Sequence, residues 1–421
     1  MNTDSDLADF RHEVEHWVRA HLPAKWLAAI DSGDLDAEPA LSDPAAARQW
    51  FTLLSERGWT VPQWPHEHGG AGLDAEHAEV VRTELARYRA DLPVYHFVPL
   101  MLAGPAIMSW GTAEQRAFHL PGIASGAEMW CQLFSEPGAG SDLASLATRA
   151  VATDDGHWIV TGQKIWSSFA DRSGYGLLLA RTDPEQPKHA GITCFLLDMR
   201  LPGVRTRPLR QLTGGEHFCE VFLDEVIVPD SARLGPVHEG WRVALSTLSA
   251  ERSGLSGGSE AGGLTLAPVL ARAHDSGRWA EEPVRDRLAA LYATERALTL
   301  TNLRIRAQAQ SGTRASGSAS IGSITKLVQS ELAQRIAEID FELAGARAAY
   351  WDSDDLEALV AAEPGAEPMP AQAHALLDSR RFTIAGGTSE IQRTIIGERV
   401  LGLDREPDPD RGRPWRELRR G

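Results

Sequence analysis

The sequence predicts an α+β chain in which a helical region, a region of short strands and a second helical region follow one another. Near the N-terminus apolar residues recur at spacings of three and four. Between Met129 and Leu234 the period changes to two, and from Gly240 onward it returns to the helical value. At 421 residues the chain is long enough to bury a large core in two or three domains.

In the first region, which extends from Leu7 to about Gly126, the residues Phe10, Val14, Trp17 and Val18 fall on one helical face. The stretch Gly58 to Gly72 is too rich in proline and glycine for helix or strand, and a helix follows over Ala75 to Arg89. In the middle region Trp158–Thr161, Gly176–Arg181, Ile192–Leu197 and Cys219–Leu223 read as strands divided by turn residues. Several short strands at such spacing make a sheet, a sandwich or a barrel. No glycine-rich turn joins a strand to a helix in the dinucleotide-fold manner, so a nucleotide cofactor would bind by another geometry. In the last region Leu288, Leu291, Leu298 and Leu303 mark one long helix. Ile321, Ile324, Val328, Leu332, Ile336 and Leu343 mark another, and together they suggest a bundle, shared or not with other subunits. The tail from Glu406 to Gly421 alternates Pro, Asp and Arg and is expected to be loose. Expected boundaries are 1–127, 128–235 and 236–405, with 406–421 as a flexible tail.

A net charge of −16 and a pI near 5.4 argue against nucleic-acid binding and against a basic membrane patch. Cys131, Cys194 and Cys219 are far apart and odd in number, with neither a disulfide framework nor metal-ligand spacing; a reducing cytoplasm is the expectation. Met1 to Phe10 is polar and acidic, unlike a secretory signal, and no run approaches the ~18 apolar residues of a membrane span.

Four segments carry candidate chemistry. Gln132 to Asp142 holds Ser135, Pro137, Gly138, Gly140 and Ser141, a turn whose hydroxyls and N–H groups suit an acceptor-rich ligand. Taken alone it is as readily an ordinary turn. Thr161 to Ser168 leads a strand through Gly162 into Trp166 and Ser168, an indole able to stack on a flat ring and a hydroxyl beside it; an indole here is more often core filler. Gly386 and Gly387 precede the N-cap Thr388 and an apolar-periodic helix containing Glu390, the arrangement of an anion-binding terminus or of a plain capped helix. Glu251 and Arg252 lie on the helix that starts near Gly240. Such a pair is ordinarily a solvated face worth ~0–1 kcal/mol, but its neighbours Gly254, Ser256, Gly257 and Gly258 are small enough to admit a close approach.

Taken together and in order, these segments resemble the acyl-CoA dehydrogenase family of flavoproteins. Matching pieces are Gly58-Trp59 with Trp64-Pro65, Ser135 to Asp142, Gly162 to Trp166, Phe222 to Pro229 and Gly387 to Arg393, and the likeness extends from about Leu7 to Pro407. Each piece is weak; five in the family's order are strong. The resemblance implies an α-helical N-terminal domain, a middle β-barrel and a C-terminal four-helix bundle, with FAD between barrel and bundle. It also implies α,β-dehydrogenation of an acyl-CoA, passage of electrons to an electron-transferring flavoprotein, and a homodimer or homotetramer. Carried over by position, Phe134, Ser135, Gly140 and Ser141 flank flavin and the CoA arm, with Ser141 nearest the substrate. Trp166 and Ser168 flank the isoalloxazine, and Thr388 and Glu390 contact FAD. The Gly386 N–H binds the thioester carbonyl as an oxyanion hole does.

Many family members place the catalytic glutamate where this chain has Gly386. A smaller group, resembling isovaleryl-CoA dehydrogenase, supplies it from the helix after the barrel, where Glu251 stands with Arg252 beside it. Glu251 is therefore the expected base and Arg252 an expected substrate contact. The family's Arg-x-x-Phe-Gly stretch, which contacts a neighbouring subunit's FAD, is not recognisable around His274 to Arg278; Arg285 or Arg287 is the nearest substitute. Glu342 and Gly345 match a further family contact only in part. Two rival functions stand beside the dehydrogenase: a flavin oxidase or monooxygenase, which would not need Glu251, and a catalytically silent subunit of a heteromeric dehydrogenase. Acyl chain identity is open, with Tyr95, Phe97 and Leu100 as candidate pocket-shortening residues.

Overall fold

The computed structural model describes residues 3–33, 41, 43–90, 92, 94–255, 264–310, 318–349 and 369–418. Six helices come first: α1 (Thr3–His21), α2 (Ala24–Ser32), α3 (Pro44–Glu56), α4 (Ala75–Arg87), α5 (Gly104–Trp110) and α6 (Ala113–Ala124). Their ends follow ordinary capping chemistry. Asp43 and Asp74 accept the N–H of Ala46 and His77, and Thr112 with Gln115 forms a capping box. The face predicted from spacing is buried, with Val14 and Val18 fully enclosed among Trp26, Trp50, Leu54 and Trp59. The indoles of Trp26 and Trp50 satisfy their N–H groups on the carbonyls of Tyr88 and Ala90, both at 2.9 Å.

Eight strands follow: β1 (Trp130–Leu133), β2 (Arg149–Ala152), β3 (His157–Ser168), β4 (Tyr175–Arg181), β5 (Ile192–Asp198), β6 (Val204–Leu209), β7 (Phe218–Pro229) and β8 (Arg233–Leu234). They hydrogen-bond in the order β6-β7-β3-β2-β4-β5-β8, with β1 parallel on β4. Strands β4 and β5 are buried on both faces, which explains their continuous apolar runs. Successive residues serve separate cores: Leu177, Leu179 and Leu196 join α5, α6 and the 98–103 turn, while Leu178, Phe195 and Leu197 join Val160, Val221 and Val226.

The chain then returns to helix as α7 (Gly240–Leu255), α8 (Leu266–Asp275), α9 (Glu282–Gln310), α10 (Ser318–Ala344), α11 (Ala371–Asp378) and α12 (Ser389–Ile395). Leu266, Val269, Leu288, Ile336, Ile339 and Leu343 close a core between α8, α9 and α10, and α7 packs on α10 to complete four helices. The sequence pattern on α9 proves uneven. Leu288 and Leu291 are buried, whereas Tyr292, Leu300 and Leu303 are 55%, 51% and 54% exposed. Among the described residues no helix is long and apolar enough to cross a membrane. The segment after position 405, expected to be loose, instead runs back to the sheet: Trp415 is buried, and the N–H groups of Trp415 and Arg416 donate to the carbonyls of Gln186 and Pro184. One large aromatic anchors a run whose composition otherwise reads as disordered.

Candidate active site

The first loop leaves β1 at Leu133. Phe134 is buried in the core, Ser135 is half-buried, and Gly140 and Ser141 are exposed. Glu136 and Ala139 exchange backbone hydrogen bonds at 3.0 Å each way, closing the turn over Pro137 and Gly138. Gly138 and Gly140 have ordinary backbone angles, and a Cβ at either position would meet nothing within 4 Å, so here glycine leaves room in front of the loop rather than permitting a strained turn. Behind it, the fully buried Lys164 donates to the Phe134 carbonyl at 3.1 Å and to Glu136 Oε1 at 2.8 Å. Glu136 also accepts the N–H of Ala147 and Thr148. Burial works to raise the Glu136 carboxyl, but the Lys164 charge and these donors outweigh it and hold it below its ordinary range. Burial depresses the Lys164 ammonium in turn, against the pull of Glu136.

The second segment is the exit of β3. Its register on β7 shifts between Lys164 and Ser167, so that Ile165 and Trp166 face Glu220 alone, a β-bulge. The bulge turns Trp166 outward at φ 61°, with its indole 59% exposed and edge-on to Phe218 at 6.0 Å. A non-glycine residue held left-handed with its ring in solvent costs free energy without a visible structural return. Ser168 is half-buried, and the buried Ser167 hydroxyl has no partner among the described residues. Phe169, also left-handed, lies edge-on to Tyr95 at 6.4 Å. The Ile165 N–H donates to the Ser135 carbonyl at 3.0 Å, which joins the first two segments into one surface. Leu100, by contrast, is part of the hydrophobic core, and Phe97 packs against it.

The third segment is the turn before α12. Gly386 and Gly387 are left-handed at φ 66° and 91°, and a Cβ on Gly387 would stand 2.7 Å from the Gln392 amide nitrogen. Thr388 is the N-cap, accepting the Ile391 N–H at 3.2 Å. Glu390 is exposed, and its own backbone N–H and the Thr388 hydroxyl hold its carboxyl below the ordinary range. Thr388, Glu390 and Arg393 line a polar cleft of about 560 Å³ whose other wall is Gln334, Arg335 and Glu338 of α10.

Glu251 and Arg252 fall in the last turns of α7; their backbone is helical, and their side chains lie outside the described part. Helix α7 packs on β5, on the 98–103 turn and on α10, the helix that also supports the 379–383 turn and α12. Helix α7 and the third segment thus both pack on α10. Arg285 donates to the carbonyls of Trp279 and Ala280, and Arg287 grips Glu342 at 2.5 and 3.1 Å. Both candidate cross-subunit arginines are therefore engaged within the chain.

Lys164, Glu136, Lys326 and Gln392 escaped the sequence reading. Lys326 of α10 donates to the carbonyls of Phe382 and Gly387, and Gln392 to those of Gly386 and Gly387. The only signal was a lysine inside an otherwise apolar-periodic row: Lys164 follows buried alternation on β3, and Lys326 sits between Ile324 and Val328.

The order of helices, sheet and helices defines the class, a three-part protein with a sheet between two helical regions. Acyl-CoA dehydrogenase family models match all three parts, the N-terminal domain over residues 5–127, the middle domain over 131–226 and the C-terminal domain over 238–401. Acyl-CoA dehydrogenase IpdE1 of Mycobacterium tuberculosis is 34% identical over 408 residues, covering 95% of this chain and 99% of the relative. Acyl-CoA dehydrogenase FadE34 of the same organism is 39% identical over 362 residues, 86% of this chain but 47% of that protein, so the chain spans about half its length. Among solved structures, a Tcur3481-Tcur3483 steroid ACAD superposes with a TM-score of 0.75 at 28% identity, covering 96% of this chain and 98% of the other. The ChsE4-ChsE5 complex from Mycobacterium tuberculosis gives 0.71 at 27%, with 95% and 98% covered. The chain belongs to the acyl-CoA dehydrogenase family of FAD-dependent oxidoreductases. Its residues fit the flavin: an outward indole at a strained bulge, open space before Gly138 and Gly140, and the Ser167 and Ser389 hydroxyls, without partners among the described residues, are what a flat, acceptor-rich ligand would use.

Proposed function

We propose that this chain dehydrogenates the α,β-bond of an acyl-CoA thioester to the trans-2-enoyl-CoA, with Glu251 as the base that takes the α-proton. The observation that carries this reading is a side-chain-free Gly386 in a turn that packs on α10, together with a glutamate on α7, a helix that also packs on α10. Phe134, Ser135, Gly140, Ser141, Trp166, Ser168, Thr388 and Glu390 would hold FAD. When bound, that cofactor supplies the acceptor for the β-hydride. Ser141 and Arg252 would contact the substrate, and the Gly386 N–H would receive the thioester oxygen, stabilising charge that develops as the α-proton leaves. A glutamate taking a proton from carbon works best with its pKa near the operating pH, which burial against a thioester would achieve.

The named neighbours support a substrate class. A steroid ACAD shares the fold across nearly the whole chain, so a steroid-derived acyl-CoA is the proposed substrate. Electron-transferring flavoprotein is the proposed acceptor, and the buried free cysteines support a reducing, cytoplasmic setting. Glu251→Gln tests the base. The expected variant is folded and yellow, binds substrate and turns over about 10²–10⁴-fold more slowly. Near-normal turnover would move the base elsewhere.

A second reading, assembly with an unlike subunit, is favoured by one observation: Arg287, one of the two candidates for a cross-subunit cofactor contact, pairs with Glu342 of its own chain. The neighbours named as paired proteins support it. Flavin stoichiometry separates the two, one FAD per chain in a homo-oligomer against less than one for this chain purified alone.

A further inference from the structure

We propose that Lys326 is a positioning residue for the reaction, one that sets the Gly386–Gly387 turn so that its backbone N–H groups face the reacting thioester. This rests on the reading that the Gly386 N–H receives the thioester carbonyl, and the clamp acts on the two peptide planes that follow it. Lys326 is 4% exposed, and its ammonium donates to the Phe382 carbonyl at 3.0 Å and the Gly387 carbonyl at 2.7 Å, spanning the turn from end to end. Gln392, fully buried, donates to the Gly386 carbonyl at 3.0 Å and the Gly387 carbonyl at 3.1 Å. The described peptide bonds are all trans, so each N–H points opposite to the carbonyl of the same peptide plane. Drawing the Gly386 and Gly387 carbonyls inward therefore turns the N–H groups of Gly387 and Thr388 away from α10. Gly386 and Gly387 are both left-handed, a turn that only glycine adopts at little cost. Among the described residues, the N–H groups of Gly386, Gly387 and Thr388 donate to no protein acceptor. Among the described residues the Oε1 of Gln392 and the buried hydroxyl of Ser389, on the helix that follows, are also without partners. A buried lysine is a costly way merely to fill space. Here it fixes two carbonyls that a looser turn would present to water, one on each side of the Gly386 N–H proposed to receive the thioester oxygen.

The test uses the full-length holoenzyme and acetoacetyl-CoA, a thioester with an acidic α-carbon whose ionisation pH, read from the flavin absorbance change, reports stabilisation of charge on the thioester side. Removing one oxyanion donor costs about 10²–10³-fold. Lys326→Met misplaces donors rather than deleting them, so kcat is expected to fall about 10–100-fold with KM nearly unchanged, and the probe's ionisation pH to rise by about one to two units. Lys326→Arg should restore part of both. A folded Lys326→Met protein with unchanged kcat and ionisation pH, whatever its melting temperature, overturns the proposal. If that variant does not fold, Gln392→Leu carries the same prediction with Lys326 left in place, and unchanged values there overturn it equally. Failure of the underlying reading would show in the wild type, as flavin that no acyl-CoA bleaches; failure of the inference shows only in the variants.

Discussion

Lys164 and Lys326 do the same physical work at two places. Each buries an ammonium behind a loop, Lys164 on the Phe134 carbonyl and Lys326 on those of Phe382 and Gly387, so backbone that would otherwise need water is held by the scaffold. His96 illustrates the opposite choice, a titratable ring buried against other rings. Its ring stacks on Phe51 with centroids 3.8 Å apart, its Nδ1 has no partner among the described residues, and burial pushes its pKa down to about 4. The sign comes from linkage. The unfolded chain binds this proton at about pH 6.5 and the folded chain only near 4, so the stability carried by the neutral ring is complete above pH 6.5 and is lost as pH falls toward 4. At about 1.4 kcal/mol per unit the loss is on the order of 3 kcal/mol. Urea denaturation at pH 7, 5.5 and 4.5 should show this decline in the wild type and its absence in His96→Phe. Parallel declines in both proteins would exclude His96 as the source.

At the scale of elements, the β3 bulge decides how Trp166 is presented. A left-handed tryptophan costs about 1–3 kcal/mol, which Trp166→Gly would relieve, while glycine's greater unfolded freedom takes back about 1 kcal/mol. The variant should therefore keep its stability within about 2 kcal/mol of wild type, yet bind FAD at least about tenfold more weakly once the stacking surface is gone. Fluorescence titration of the apoprotein with FAD measures this; unchanged affinity would remove Trp166 from the cofactor site. Much of this level was legible in the sequence. The alternation of Trp158 to Thr161 and the run Gly176 to Arg181 gave the strands, and Phe10 to Val18 gave the first helix face, because periodicity is a local property. The bulge was not legible. It depends on which residue of β7 stands opposite Lys164, and a partner 57 positions away from Lys164 leaves no trace in the local pattern. Nor were the lysine clamps, since an isolated lysine reads as solvent-facing until its carbonyl partners, 30 and 56 residues distant, are known. For Gly138 and Gly140 the residue type was noticed but its reason was different, space rather than backbone freedom.

For the whole molecule, the C-terminal tail ties the helical bundle back to the sheet. The family's C-terminal match ends at residue 401, and the chain beyond that point crosses to the β4–β5 connection, where the Trp415 ring lies under the Arg181 guanidinium at 4.8 Å. Arg181 is buried and donates to the carbonyls of Ala144 and Lys188, while the Trp415 indole donates to Ser145 at 3.3 Å. Ser145 in turn bonds Asp142, next to Ser141, so the tail braces the loop proposed to meet the substrate. Truncating a buried tryptophan in a core costs about 3–5 kcal/mol. A tail can leave its seat without opening any of the four cores, however, so Trp415→Ala should appear mostly as local opening and only weakly in the global transition. Hydrogen exchange is expected to quicken at 144–146 and 184–188 while the inner strands stay protected, and KM for acyl-CoA to rise several-fold with kcat retained. Exchange at 144–146 equal to wild type would mean that Arg181 alone holds the loop and that the tail only covers it.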